Sequence, residues 1–178
     1  MNKNRCSWVS EDEVYIRYHD EEWGVPTYDD SELFEMLILE LFQAGLSWIT
    51  ILKKRENFRK AFDGFDVDQI MNYDCEKIEE LMKDERIIRN RRKIDATVNN
   101  ARIFKKMQEE YGSFSDYIWS FTDGEIIKAE YETESELSKE ISKDLKRHGM
   151  KFVGPTIIYS YLESIGIIDN HEKDCFKF

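Results

Sequence analysis

Thiol and imidazole side chains are scarce in this chain: 178 residues contain three cysteines and three histidines. An odd cysteine count, with no leader-like segment, predicts a protein of the reducing cytoplasm. Long apolar runs are missing as well. The most apolar stretch, Met36 to Phe42, already contains Glu40, so no membrane span is expected. Positive charge is also in deficit, with a formal net charge of −11. That balance works against a nucleic-acid partner, because neutralising phosphates drives most such binding. No alternating run long enough to suggest a sheet is present, and no repeat or low-complexity tract.

The few ligand-type residues gather near the two ends. Cys6 and His19 form a Cys-x12-His pair, and His171 and Cys175 a His-x3-Cys pair; Cys75 and His148 are the others of their kind. Two thiolates and two imidazoles are a complete tetrahedral set for Zn2+, and a closed four-ligand site leaves no position for a reacting water. The arrangement predicts a structural clasp joining the termini rather than a catalytic metal. The alternative is that these are small apolar cysteines and surface histidines.

Positive charges are few but clustered. Arg86, Arg89, Arg91, Arg92 and Lys93 fall in one acid-free stretch, and Lys53, Lys54, Arg55, Arg59 and Lys60 in another, offset by Glu56. These runs are either a basic face on an acidic body or solvated helix faces.

The length suits a single domain, 1–178, and the periodicity predicts an all-α fold. Asp29 with Glu32 resembles a capping box for a helix reaching about residue 44, where Gly45 can end it. A second helix follows over about 47–62. Asp66 and Asp74 are expected to cap two short helices, and a tight segment at 84–90 leads into a long helix ended by Gly112. A short aromatic helix comes next, then an Asp123-Gly124 turn and an extended loop over 125–133. Thr133 with Glu136 is expected to cap the following helix, and Gly154-Pro155 to open the last.

Glu40 stands out because its helix is apolar on nearly every side. Such a carboxylate either faces water or is buried for a reason, since burying an unpaired charge costs several kcal/mol. Trp8, Tyr15, Tyr18, Trp23 and Trp48 crowd the same region. Core packing accounts for aromatics at such spacing. A carboxylate among rings is also what a flat, cationic ring needs, through stacking, cation–π attraction and a hydrogen-bond acceptor.

The motifs Cys6-x-Trp8, Tyr15-Ile-x-Tyr18-His19-Asp20-x-Glu22-Trp23-Gly24-Val25-Pro26, Leu33-Phe34-Glu35-Met36, Gln43-Ala-Gly-Leu-Ser-Trp48-Ile-Thr-Ile-Leu-Lys-Lys-Arg55-Glu56, Ile87-Ile88-Arg89 and Phe152-Val-Gly154-x-Thr156 resemble the 3-methyladenine DNA glycosylase I family. The likeness runs from Cys6 to Cys175. It implies a helix-hairpin-helix glycosylase fold of two helical lobes, one at approximately 31–125 and one formed by both termini, 1–30 and 126–178. It implies a monofunctional enzyme that flips 3-methyladenine out of alkylated double-stranded DNA, cuts its N-glycosidic bond without nicking the strand, and releases the free base. By motif position Glu40 corresponds to the base-recognising carboxylate. Tyr18 and Trp48, with Trp8 and Tyr15, correspond to the aromatic pocket, and Cys6, His19, His171 and Cys175 to the zinc ligands.

On that reading Gly45-Leu46 supplies the wedge that fills the vacated stack. Phosphates would meet the backbone amides of Ile87, Ile88, Arg89 and Asn90. No lysine presents itself as a Schiff-base nucleophile, which suits hydrolysis. Trp23 is assigned to core packing, and monomer is the default state.

Two positions depart from the family pattern. Glu85-Arg86 stands where a small residue and glycine are usual, which would require strain or a shifted turn. Leu41 and Phe42 replace smaller or more polar residues and would alter the pocket rim. A non-catalytic zinc-stapled nucleic-acid module, or a binder of small purines or aromatic cations, would use the same residues.

Overall fold

A computed structural model describes residues 3–130 and 132–178. Short polar side chains begin most helices. Asp12 opens α1 (Glu13–Glu21), its carboxylate accepting from the Val14 amide. Asp29 opens α2 (Asp30–Gln43), accepting from the amides of Ser31 and Glu32. After α3 (Trp48–Ala61) and a 3₁₀ turn at Asp63–Phe65, Asp66 and Asp74 cap α4 (Val67–Ile70) and α5 (Cys75–Lys83). Asn90 caps α6 (Arg91–Tyr111) and Ser113 caps α7 (Phe114–Ser120). Each such cap satisfies an amide that the first helical turn leaves unpaired.

The chain then runs through α8 (Glu136–His148) and α9 (Pro155–Ser164). Three details differ from expectation. Helix α1, 9 residues with Val14, Tyr15 and Tyr18 at helical spacing among charged neighbours, is not among the predicted helices. Helix α8 is capped by Ser135 rather than Thr133. Ser135 and Ser138 exchange amide-to-hydroxyl bonds of 2.9 and 3.2 Å, a reciprocal box that begins two residues later. The loop over 125–133 contains a two-residue strand β1 (Ile127–Lys128) paired in parallel with β2 (Ile168–Asp169). The fold is therefore mostly helical with one short parallel ladder.

Helix α2 is the axle. Buried at every position from Leu33 to Phe42, it packs against α3, α6, α7 and α9. A helix that is apolar all round has no wet face, so Glu40 is carried inside with its neighbours. Leu41 and Phe42 point away from the pocket into the core; Phe42 packs on Phe58 and Phe62 with ring centroids 4.8 and 5.8 Å apart. The departures at these two positions therefore enlarge the core and leave the rim unchanged.

Two glycines let the segment after α1 press against the C-terminal part of the chain. Gly24, at φ 72°, lies so close to His171 that a Cβ would fall 2.6 Å from its Cε1. Gly166, at φ 77°, would bring a Cβ within 2.5 Å of the Pro26 nitrogen. A side chain at Gly24 would displace the His171 ring, one at Gly166 would displace the Val25–Pro26 backbone, and both would strain a positive φ.

Candidate active site

A cavity of about 460 Å³ opens where α1, the end of α2, the start of α3, α9 and the C-terminal tail converge. Glu40 projects into it from the last turns of α2 and is 4% exposed. Burial, and then the nearby charge of Glu163, push its carboxyl well above the usual carboxylate range. Hydrogen-bond donors and cations lower a carboxyl pKa, and among the described residues none does so here.

Aromatic rings wall this carboxyl. Tyr18 on α1 and Trp48, the first residue of α3, face one another with centroids 5.5 Å apart. The Trp48 indole Nε1 is buried without a hydrogen-bond partner. Trp8 packs on Tyr15 at 5.0 Å and on Trp23 at 4.9 Å, and all three line the cavity. Burial first, and the charge of Glu40 second, raise the phenol pKa of both Tyr15 and Tyr18. Five sequence-predicted residues, Trp8, Tyr15, Tyr18, Glu40 and Trp48, thus line one cavity. Trp23 joins them: it packs in the core and faces the cavity at once.

The sequence reading missed Gln43, Glu163 and Asn170, which also line the cavity. Glu163 sits on α9 amid Ile158, Tyr159, Tyr161 and Leu162, an apolar setting like that of Glu40. The same signal, a lone carboxylate in an apolar helix, would have found it. Asn170 Nδ2 donates to Glu163 Oε1 at 2.8 Å. Burial nevertheless pushes the Glu163 carboxyl up to about 7, with the Asn170 bond pulling it down.

Gln43 braces the turn between α2 and α3. Its Nε2 donates to the Leu46 carbonyl at 2.9 Å, and the Leu46 amide donates to the Gln43 carbonyl at 2.7 Å. Gly45 takes φ 80° there, and Leu46 stands 37% exposed two residues before Trp48 of the cavity wall. Buried Lys93 anchors the same turn from α6. Its ammonium donates to the carbonyls of Phe42 and Ala44, so this cation is no part of a basic face.

The turn between α5 and α6 needs no glycine. Neither Glu85 nor Arg86 has a positive φ. Asp84 accepts from the Arg86 amide at 3.0 Å and holds the Arg86 guanidinium through bonds of 2.9 and 2.8 Å. This side-chain turn replaces the strain expected of Glu85-Arg86. The amide of Ile87 bonds to the Asp84 carbonyl and that of Asn90 to the Ile88 carbonyl. The amides of Ile88 and Arg89 make no such bond among the described residues. In the other basic stretch, Arg55 bridges Glu22 and Glu35, and Lys53 pairs with Asp12. That stretch fastens α3 to α1 and α2.

Beside the cavity, the ligand atoms of Cys6, His19 and Cys175 lie within 4.8 Å of one another. His171 stands next to them, its ring 5.4 Å from that of His19, and its Nε2 is buried without a partner. Both imidazoles are fixed through Nδ1, His19 by Asp20 at 2.9 Å and His171 by Asp169 at 2.7 Å. A carboxylate on the far nitrogen is the usual support of a metal-bound histidine. Burial pushes the Cys6 thiol up to about 12, a cost that a cation would offset. The donor set, the orphaned nitrogen and the two supporting carboxylates fit zinc.

Residues 8–178 match the family Methyladenine glycosylase. The chain is 45% identical to DNA-3-methyladenine glycosylase 1 of Escherichia coli K12 over 177 residues, 96% of this chain and 95% of that protein. It superposes on a crystal structure of a 3-methyladenine DNA glycosylase I with a TM-score of 0.94 at 46% identity, covering 97% of this chain and 98% of the other. A second such enzyme, crystallised as a tyrosine-to-phenylalanine variant in complex with 3-methyladenine, gives a TM-score of 0.93 at 40% identity, over 97% and 96% of the two chains.

Proposed function

The chain belongs to the methyladenine glycosylase family, and from that premise we infer that it is a DNA repair hydrolase that excises 3-methyladenine from alkylated DNA. One observation carries the reading for this molecule: Glu40, 4% exposed and without a protein donor among the described residues, faces a ring-walled cavity with room for a flipped base.

Methylation at N3 makes adenine cationic and already weakens the bond to the sugar. The protein's task is then to extrude the nucleotide, select the lesion and stabilise an oxocarbenium-like sugar. Glu40 accepts a hydrogen bond from the exocyclic amino group, and its charge favours a cationic base over neutral adenine. Tyr18 and Trp48 stack on the base, adding about 1–2 kcal/mol of cation–π attraction, with Trp8 and Tyr15 closing the wall. The bond from C1′ to N9 breaks, and its electron pair leaves with the base, which becomes neutral. Water then adds at C1′ and loses a proton. The products are free 3-methyladenine and an abasic site in an unbroken strand, since the lysine that lines the cavity among the described residues, Lys173, is exposed rather than buried beside Glu40.

Leu46, displayed by the Gly45 turn, enters the stack in place of the lost base. The α5–turn–α6 unit acts as a helix-hairpin-helix, presenting the amides of Ile88 and Arg89 to a phosphate. The cavity then lies between one lobe, approximately 31–125, and a second built from 1–30 and 126–178. Cys6, His19, His171 and Cys175 would hold a structural zinc, which would join the two ends of the chain rather than supply a reacting water. The protein acts as a monomer in the cytoplasm. No helix among the described residues is long and apolar enough to cross a membrane.

Incubation with methylated duplex DNA, followed by chromatography of the released bases, tests the reading. Release of 3-methyladenine by the wild type and its loss in Glu40→Gln are expected; no release by the wild type overturns it.

A further inference from the structure

Two carboxyl groups share the deep cavity, and the family signature accounts for one of them. Glu40 reaches it from α2, and Glu163 enters from α9. They are close enough that the charge of Glu163 is felt at Glu40. The cavity's other charged residues lie nearer its rim. Glu130 and Lys173 are exposed, and Glu172 is bound to the amide and hydroxyl of Ser7 at 2.9 and 2.6 Å. Of the two deep carboxyls, Glu40 has no donor among the described residues, and Glu163 has the neutral amide of Asn170 at 2.8 Å. No cation in the cavity is paired with either among the described residues.

We propose that Glu163, clamped by Asn170, is a second specificity-determining carboxyl of the base pocket, which with Glu40 selects bases carrying positive charge. This rests on the reading that the cavity receives the flipped base. Two like groups brought together out of water oppose one another, and the arrangement is costly while the pocket is empty. A ring that arrives with a delocalised positive charge relieves both at once. Neutral adenine relieves neither and must still displace the water around them. Discrimination therefore grows from the pair, where one carboxylate alone would give less. Asn170 matters because its hydrogen bond fixes one Glu163 oxygen, and no bond among the described residues occupies the other.

A purely structural job for Glu163 is the competing account, since Asn170 precedes His171 and follows β2. The two accounts separate in Glu163→Gln, which keeps the shape and the acceptor for Asn170 but removes the charge. Two probes are used with wild type and variant: 3,9-dimethyladeninium, which is permanently cationic, and 9-methyladenine, which is neutral. Their inhibition of base release, or direct calorimetric binding, gives an affinity ratio internal to each preparation, so loss of folded protein does not move it.

The cation-to-neutral ratio is expected to fall by about tenfold in Glu163→Gln, the scale of one charge at partly screened distance. A fall of less than about threefold overturns the proposal, even if thermal stability drops, because that is the result of a bracing role. Should the wild type excise 3-methyladenine while the ratio stays put, this inference fails alone. Should the wild type show no preference for the cation and release no base, the parent reading fails with it.

Discussion

The ammonium of Lys93 donates a 2.6 Å hydrogen bond to the carbonyl of Ala44, and a second of 2.8 Å to Phe42. These carbonyls end α2 and would otherwise lack partners. A cation at a helix C-terminus also meets the negative end of the helix dipole. The bond therefore fixes the turn that carries Gln43 and Leu46, one turn beyond Glu40. Lys93→Met should cost about 2–3 kcal/mol in urea unfolding, because buried carbonyls lose a charged donor. Base release should slow as well, through a looser Glu40 and Leu46. A variant as stable and as active as the wild type would show that the turn stands without it.

Glu40 is an instance of stability given up for function. Its burial raises the carboxyl pKa, so the ionised form is disfavoured in the folded chain. Glu40→Gln removes that penalty while preserving shape. The variant should unfold at a higher temperature than the wild type near neutral pH, by an amount on the order of 1 kcal/mol. Excision of 3-methyladenine should fall by about 100-fold or more, the loss of an electrostatic contact made to the reacting base. Calorimetry and single-turnover release measure the two effects on the same preparation. Higher activity or lower stability would exclude Glu40 as the base-recognising carboxylate.

Much of this was legible because the sequence states it locally. Asp29, Asp66 and Asp74 announce helix starts, and the apolar run Met36 to Phe42, interrupted by Glu40 alone, announces a buried carboxylate. Helix α1 was not legible, because tertiary packing of Tyr18 and His19 supports it while its own pattern is polar. Ser135 displaced Thr133 as a cap because two serines can satisfy each other, a choice that periodicity does not encode. Lys93 looked like part of a basic face, since charge runs say nothing about which member turns inward. Glu163 carried the same signal as Glu40 and became visible as a pocket residue once α9 was set against α2.

Glu163 also makes a pH prediction. Its carboxyl is raised from 4.5 to about 7 in the folded chain. The stability tied to this shift is fully present below pH 4.5 and is lost as pH rises through about 7. Relative to Glu163→Gln, the wild type should therefore weaken between about pH 5 and 8, by on the order of 2 kcal/mol. Urea midpoints of both proteins at the two pH values give the difference, in which titrating groups that do not feel Glu163 cancel. A flat difference, or one of opposite sign, would mean that Glu163 is better solvated than its position indicates.

The metal cluster predicts a stability effect separable from the chemistry. Metal analysis should find one zinc per chain. Removing it with a strong chelator should lower the unfolding temperature, as should Cys6→Ser, because the clasp then loses a ligand that binds the folded form selectively. Affinity for free 3-methyladenine should change less than stability, since of the four ligands His171 alone lines the cavity. Protein isolated without zinc and unaffected by chelators would remove the clasp.

Arg86 gives the last test, because Asp84 neutralises it within the turn. While it is held so, it adds little to the attraction for phosphates. Asp84→Asn keeps an oxygen to accept the Arg86 amide and thus keeps the turn, but it no longer holds the guanidinium as an ion pair. If the hairpin faces DNA, nonspecific duplex binding should tighten, and the plot of log affinity against log salt should steepen by about one unit. The release rate from saturated complexes should stay the same, since Glu40 and the rings are untouched. An unchanged salt slope in a variant of unaltered thermal stability would mean that the α5–α6 turn points away from the nucleic acid, and the phosphate contacts would have to be sought elsewhere.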